Sequence, residues 1–328
     1  MRKLIIKLSA ALLSFILAVC YTVGCTYVSA NAKESKVSTY LVVGLDDAAQ
    51  NTDIIMLVGC NTENGSLTFL QVPRDTYYYY GKGQNKINGI FASYKNGGMS
   101  EKAALSSLSS DLSECFGVDI AASFAVTVDG FLKFVDRLGG IRIDMPHSFT
   151  FTDEHGNGAV TLNSGENLLD ANMSERFVRY RRGYSLGDLS RIDAQKIFFS
   201  GVVKTVLSKS PVVLGKAAYA AKDSIYANCR FSDIVKILAK KPGRNQKMSC
   251  KFVTLPGEAL VSDNGISYYC VNRKNAEAVL SESLFATDFD KERVLLNEKS
   301  VAFYNAYYDE NADYRVYTDG SLGDIKLK

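Results

Sequence analysis

Three apolar runs follow one another early in the chain: Thr39-Tyr40-Leu41-Val42-Val43-Gly44, Asp53-Ile54-Ile55-Met56-Leu57-Val58-Gly59-Cys60 and Ser66-Leu67-Thr68-Phe69-Leu70-Gln71-Val72. Each is short, rich in β-branched residues and bounded by turn residues, the pattern of a β-strand. Asn64-Gly65 between the second and third predicts a hairpin. The first two runs are apolar almost throughout rather than alternating, so both faces of these strands should be covered. That points to a layered α/β domain and away from a sheet with one wet side.

The downstream sequence continues the pattern. Ser100 reads as the cap of a helix through Leu105 and Leu108 to Cys115, stopped by Gly117. Strand Ser123 to Val126 precedes a helix Gly130 to Leu138, ended by Gly139-Gly140, and strand Ile141 to Asp144 follows. Helices are expected around Ser210 to Lys222 and Ser232 to Lys240, and strands at Lys251 to Leu255 and Ile266 to Val271. The alternation predicts a single α/β/α sandwich domain with a central mixed sheet, spanning residues 33–287. Residues 288–328 form a tyrosine-rich extension.

The first 32 residues read differently. Arg2, Lys3 and Lys7 precede an uncharged stretch from Leu8 to Val28. About twenty apolar residues suffice to cross a bilayer as a helix. Basic residues before the span predict a single-pass anchor in the cell membrane, N-terminus inside and the main domain on the outer face. A cleavable signal peptide is the competing reading, since Ala30-Asn31-Ala32 resembles a small-x-small cleavage site.

Composition removes several classes. The chain has 328 residues, 47% hydrophobic, with a net charge of +3. Acids and bases are interspersed, which argues against nucleic acid as a partner. Two histidines leave histidine-based catalysis little to draw on, and the His-Glu-x-x-His and P-loop signatures are missing. Cys20 and Cys25 fall in the apolar segment. The five remaining cysteines are too scattered for a disulfide framework or a zinc site, and only Cys250 with Cys270 is expected as a bridge.

Two charged constellations remain. In Phe177-Val178-Arg179-Tyr180-Arg181-Arg182, an extended backbone would send Arg179 and Arg181 to one face. Just beyond, Asp188 can cap a helix that carries Arg191 in its first turn and Gln195 one turn later. A helix N-terminus favours anions, and guanidinium forks suit phosphate, so the cluster is built to grip a phosphate group. The bland alternative is that these arginines pair with Asp188, Asp193 and Glu175. The second constellation lies at strand ends: Asp46-Asp47, Asn51-Thr52-Asp53, Pro73-Arg74-Asp75-Thr76 and Lys86-Ile87-Asn88. Ligands of open α/β sheets bind at such ends. If Asp46 and Asp53 meet, two hard carboxylates suit magnesium, or manganese, completed by substrate phosphate. Otherwise the aspartates are turn and cap residues, and Arg74 pairs with Asp75.

Taken in order, these segments resemble the LytR-CpsA-Psr family of bacterial cell-wall enzymes. The resemblance runs from Tyr40 to about Ser208. It is carried by Gly44-Leu45-Asp46, Asp53-Ile54-Ile55-Met56-Leu57, Val72-Pro73-Arg74-Asp75-Thr76, Lys86-Ile87-Asn88, Gly130-Phe131 with Val135 to Ile141, and Arg179-Tyr180-Arg181 with Asp188, Arg191 and Gln195. It implies transfer of an anionic glycan, such as teichoic acid or capsule, from an undecaprenyl pyrophosphate carrier to a peptidoglycan hydroxyl, releasing undecaprenyl phosphate. It implies catalytic roles for Asp46, Asp53, Arg74 and Arg179, a magnesium ion on Asp46 and Asp53, and a pyrophosphate held by Arg74, Lys86, Arg179, Arg181, Arg191 and Gln195. The lipid requires an apolar groove, for which Phe131, Phe134, Phe198 and Val202 are candidates. The chain departs from its relatives, which usually carry arginine where it has Asp47-Ala48, Asn51 and Ala194. Those departures leave two alternatives: an envelope protein that binds the lipid-linked glycan without efficient transfer, or a polyprenyl-pyrophosphate hydrolase.

Overall fold

The computed structural model describes residues 37–61, 66–80, 83–153, 155–181, 188–229, 249–262, 265–283 and 316–318. The expected anchor at residues 8–28, the Asn64-Gly65 turn and the helix expected at 232–240 lie outside them. No helix among the described residues is long and apolar enough to cross a membrane.

The described strands, in chain order, are β1 (Val37–Leu45), β2 (Thr52–Asn61), β3 (Ser66–Val72), β4 (Tyr77–Tyr80), β5 (Gly83–Lys86), β6 (Ile120–Val126), β7 (Ile141–Met145), β8 (Phe149–Phe151), β9 (Val160–Leu162), β10 (Gly165–Leu169), β11 (Ile225–Ala227), β12 (Ser249–Thr254), β13 (Gly257–Val261), β14 (Ser267–Val271) and β15 (Val316–Thr318). The helices are α1 (Ile90–Asn96), α2 (Glu101–Phe116), α3 (Val128–Leu138), α4 (Ala171–Arg179), α5 (Asp188–Ser208), α6 (Pro211–Ala221) and α7 (Arg273–Ser283).

Seven strands form the central sheet in the order β11-β6-β1-β2-β3-β12-β15. β1 runs antiparallel to β2 and parallel to β6, and β3 runs antiparallel to β2 and parallel to β12, so the sheet is mixed. The second and third apolar runs pair as expected, with Ile55 opposite Val72 and Cys60 opposite Leu67. β15 comes from the tyrosine-rich C-terminal stretch and completes one sheet edge against β12.

Alternation along each strand feeds two separate cores. Tyr40, Met56, Val58 and Phe69 join Phe134, Phe177 and Phe198 on one face, under α3, α4, α5 and α6. Leu41, Val43, Ile55, Leu57 and Leu70 join Leu105, Leu108 and Leu112 of α2, Phe91 of α1 and Leu280 of α7 on the other. This is the α/β/α layering that the doubly apolar strands predicted. It also explains why Cys250 and Cys270 are free thiols rather than the expected bridge: Cys250 packs in the first core and Cys270 in the second, with the sheet between them.

The helix boundaries follow local chemistry. Ser100 accepts from the Ala103 amide to start α2, Gly117 closes it at φ 64°, and Thr127 accepts from the Gly130 amide to start α3. Within α5, Gly201 lies where a side chain would overlap the Arg142 carbonyl and Ile143 of β7. Glycine there lets the helix lie directly on the strand.

The stretch read as extended from Phe177 is a correction. Residues 171–179 form α4, capped by Asp170 accepting from the Met173 amide. Ser174, Phe177 and Val178 are the buried positions, a helical spacing that adjacent Phe177 and Val178 could not satisfy on a two-residue period. Arg179 therefore ends a helix, with Arg181 beyond it.

Candidate functional site

The face of the sheet under α3, α4 and α5 is not fully filled. Between helices and sheet lies a cavity of about 160 Å³. Its floor is Val42 of β1, Ile54, Met56 and Val58 of β2, Phe69 of β3 and Val126 of β6; its roof includes Phe131 and Phe134 of α3, Val178 of α4 and Phe198 and Val202 of α5. All four residues named as candidates for an apolar groove thus line it. At one end the lining turns polar, with Asp53, Glu175, Arg179, Arg191 and Gln195. The result is a greasy slot with a charged mouth.

The mouth is assembled by the elements that the sequence singled out. β1 ends at Leu45, opposite Thr52 of β2, so Asp46 and Asp47 leave the sheet beside the start of β2. Asp53 Oδ1 accepts from Arg74 Nη1 at 2.5 Å and lies 4.0 Å from Arg181 Nη2. Arg74 Nε stands 4.0 Å from Asp75, and Lys86 pairs with Asp75 at 3.0 Å. The Asn88 amide donates to the Arg74 carbonyl at 3.2 Å, tying the segment after β5 to the loop after β3. Arg74 therefore engages Asp53 directly and Asp75 only at longer range. Lys86 sits one carboxylate further out and does not line the cavity.

On the other wall, α5 begins with Asp188 as its first residue rather than after it, and the Asp188 side chain, read as the cap, lies outside what is described. Arg191 is 3% exposed yet lines the cavity mouth. Gln195 is buried one turn later; it accepts from Gln71 and donates to the Val178 carbonyl at 3.0 Å. That amide pins α4, α5 and β3 together beneath the mouth. Asp193 turns elsewhere, pairing with Lys196 at 2.9 Å. Arg179 meets Glu175 at 2.8 Å and makes a two-pronged pair with Asp47. These carboxylates, Asp47 first, hold the Arg179 guanidinium more firmly protonated than usual.

Sequence reasoning missed Gln71 and the role of Asp47. Gln71 carried a visible signal, an amide inside the apolar run Leu70-Gln71-Val72 that is 4% exposed. Asp47 carried none, because its partner is 132 positions away. The departures also find places. Ala194 is fully buried in the core on the cavity face. Asn51 donates to Asp46 Oδ2 at 2.9 Å, while the Gln50 amide donates to Oδ1 at 2.8 Å, so Asp46 also serves its own turn.

Among the described residues, no group of three or more His, Cys, Asp or Glu side chains is placed to hold a metal ion. Asp46 and Asp53 nonetheless leave carboxylate lone pairs at the same sheet end. Two hard carboxylates completed by water and phosphate oxygens match how magnesium is usually held. In this structure both Asp46 oxygens accept from Gln50 and Asn51, and Asp53 pairs with Arg74.

The comparisons agree with this architecture. The chain is 24% identical over 256 residues to the Polyisoprenyl-teichoic acid--peptidoglycan teichoic acid transferase TagU of Oceanobacillus iheyensis, covering 76% of each. It superposes on the crystal structure of B. subtilis TagV with a TM-score of 0.59 at 22% identity, covering 77% of this chain and 98% of that one. Against TagT bound to LI-WTA the TM-score is 0.57 at 19% identity, covering 79% and 99%. The LytR_cpsA_psr family model matches residues 23–283, well over half of the chain, and the protein belongs to that family.

Proposed function

We propose that this protein transfers an anionic cell-wall glycan from an undecaprenyl pyrophosphate carrier to a peptidoglycan hydroxyl, releasing undecaprenyl phosphate. The observation that carries the proposal is the joining of an apolar cavity to a charged mouth on the same helices and strands. A polyprenyl diphosphate has that polarity: a hydrocarbon tail needing dry walls, and a diphosphate needing guanidinium forks. The relative named TagU is a teichoic acid transferase, which supports the same substrate class here.

The chain's own groups have distinct tasks in this reaction. Phe131, Phe134, Phe198 and Val202 hold the prenyl tail and fix the depth at which its head emerges. Arg191, buried at the mouth, grips the diphosphate where water competes least, and Arg74, Arg179 and Arg181 surround it. Gln195 keeps α4 and α5 in register, so that the forks converge. Lys86 steadies Asp75 behind Arg74. The acceptor hydroxyl attacks the glycan-side phosphorus, the bond to the bridging oxygen breaks, and undecaprenyl phosphate leaves with the electron pair. Asp53 or Asp46 takes the hydroxyl proton. A magnesium ion on Asp46 and Asp53 would supply neutralisation of diphosphate charge. An N-terminal anchor in the cell membrane, with the domain on the outer face, would place the site beside its lipid substrate.

The test uses the full chain in detergent, a lipid-linked pyrophosphate glycan, peptidoglycan and magnesium. Equal yields of peptidoglycan-linked glycan and undecaprenyl phosphate are expected, both lost in Arg74→Ala and Arg179→Ala. Carrier phosphate released equally without acceptor identifies a hydrolase. Tight binding without release identifies a binding protein.

A further inference from the structure

Arg179 already holds an anion of the protein's own. Asp47 meets it fork to fork, Nη1 to Oδ1 at 2.9 Å and Nη2 to Oδ2 at 2.7 Å, while Glu175 accepts from Nη1 at 2.8 Å. A guanidinium fork is matched equally by a carboxylate and by two oxygens of a phosphate group. Asp47 therefore occupies on Arg179 the contact that a phosphate would make. The two carboxylates are not equivalent. Glu175 shares α4 with Arg179 and its side chain is 24% exposed, whereas Asp47 reaches over from the β1–β2 turn and its side chain is 63% exposed. Asp47 can swing into water at little cost, since exposed ion pairs contribute little to stability.

We infer that Asp47 is a specificity-determining residue, a tethered competitor anion that an incoming diphosphate must displace from Arg179. The inference rests on the mouth being a diphosphate site. A tethered carboxylate competes at an effective concentration on the order of millimolar. A small free anion whose hold depends on Arg179 alone gains little from the exchange. A diphosphate that meets Arg191 and Arg181 in the same event, with its tail in the cavity, recovers the loss several times over. The turn thus sets a threshold that screens out solitary anions and admits multidentate phosphates. Asp47 is not placed to react; it acts through Arg179.

The experiment is calorimetric titration of the full chain in detergent with inorganic pyrophosphate and with farnesyl diphosphate, in magnesium at fixed ionic strength. Asp47→Asn should bind both about tenfold more tightly than wild type, and the gain should vanish when Arg179→Ala is added. Equal or weaker binding by Asp47→Asn, with wild-type binding intact, would overturn the inference alone, because a residue that merely positions Arg179 must weaken binding when removed. Failure of wild type and variant to bind either probe would overturn this inference and the diphosphate site together. Asp47→Ala, checked for an unchanged melting temperature, guards against a folding artefact of the amide.

Discussion

The two faces of the central sheet are built from the same strands and end up unlike each other. Beneath α1, α2 and α7 the packing is solid: Leu41, Ile55, Leu57, Phe91, Leu105 and Leu108 are all 0% exposed. Beneath α3, α4 and α5 the same strands face a cavity whose lining includes Val42, Ile54 and Phe131, only partly buried. Unfilled apolar volume forfeits dispersion contacts and costs stability. One face therefore carries stability, and the other gives up some of it to keep a ligand-shaped space. A binding face can stay open because its partner face does not.

Substitutions on the two faces should differ in kind. The largest effect is expected at the mouth. Arg191→Ala should lower transfer on the order of 100- to 1000-fold, as for a lost electrostatic donor at a reaction centre, with a far smaller change in melting temperature. Equal losses of stability and rate would make Arg191 a core residue instead. Next is Leu108→Ala on the solid face, which should cost about 2–5 kcal/mol in denaturant unfolding and leave the KM for the lipid donor unchanged.

Enlargement sharpens the contrast. Val202→Phe grows into the cavity and should leave unfolding free energy the same or higher while weakening farnesyl diphosphate binding about tenfold and sparing inorganic pyrophosphate. Leu108→Phe enlarges a side chain that is 0% exposed and should cost about 1–3 kcal/mol. The smallest effect is alkaline. Burial pushes the Cys115 thiol, on the solid face, up from its ordinary 9.0 to about 12. The folded state holds the proton that the unfolded chain releases, so this stabilisation is complete below pH 9 and is lost as pH rises toward 12. Melting temperature should fall across that window less steeply in Cys115→Ala.

Much of this was legible from local pattern. Uninterrupted apolar character in β1 and β2 announced two covered faces, and the caps Ser100, Gly117 and Gly139 set helix ends that the fold keeps. Arg191 and Gln195 could be placed on one helix face from spacing alone. Long-range pairing was not legible. Asp47 with Arg179, Gln71 with Gln195 and Arg74 with Asp53 join residues brought close only by strand order and helix packing. Arg179 misled for a local reason, since Phe177-Val178-Arg179-Tyr180-Arg181 alternates like a strand while Asp170 caps it into a helix.

Where a polyprenyl diphosphate lies on this protein decides its function most directly. A crystal structure of the protein soaked with one should show tail density between Phe131 and Val202, the diphosphate within hydrogen-bonding distance of Arg179 and Arg191, and Asp47 turned away. A diphosphate bound with its tail outside an empty cavity, or tail density on another surface, would contradict it.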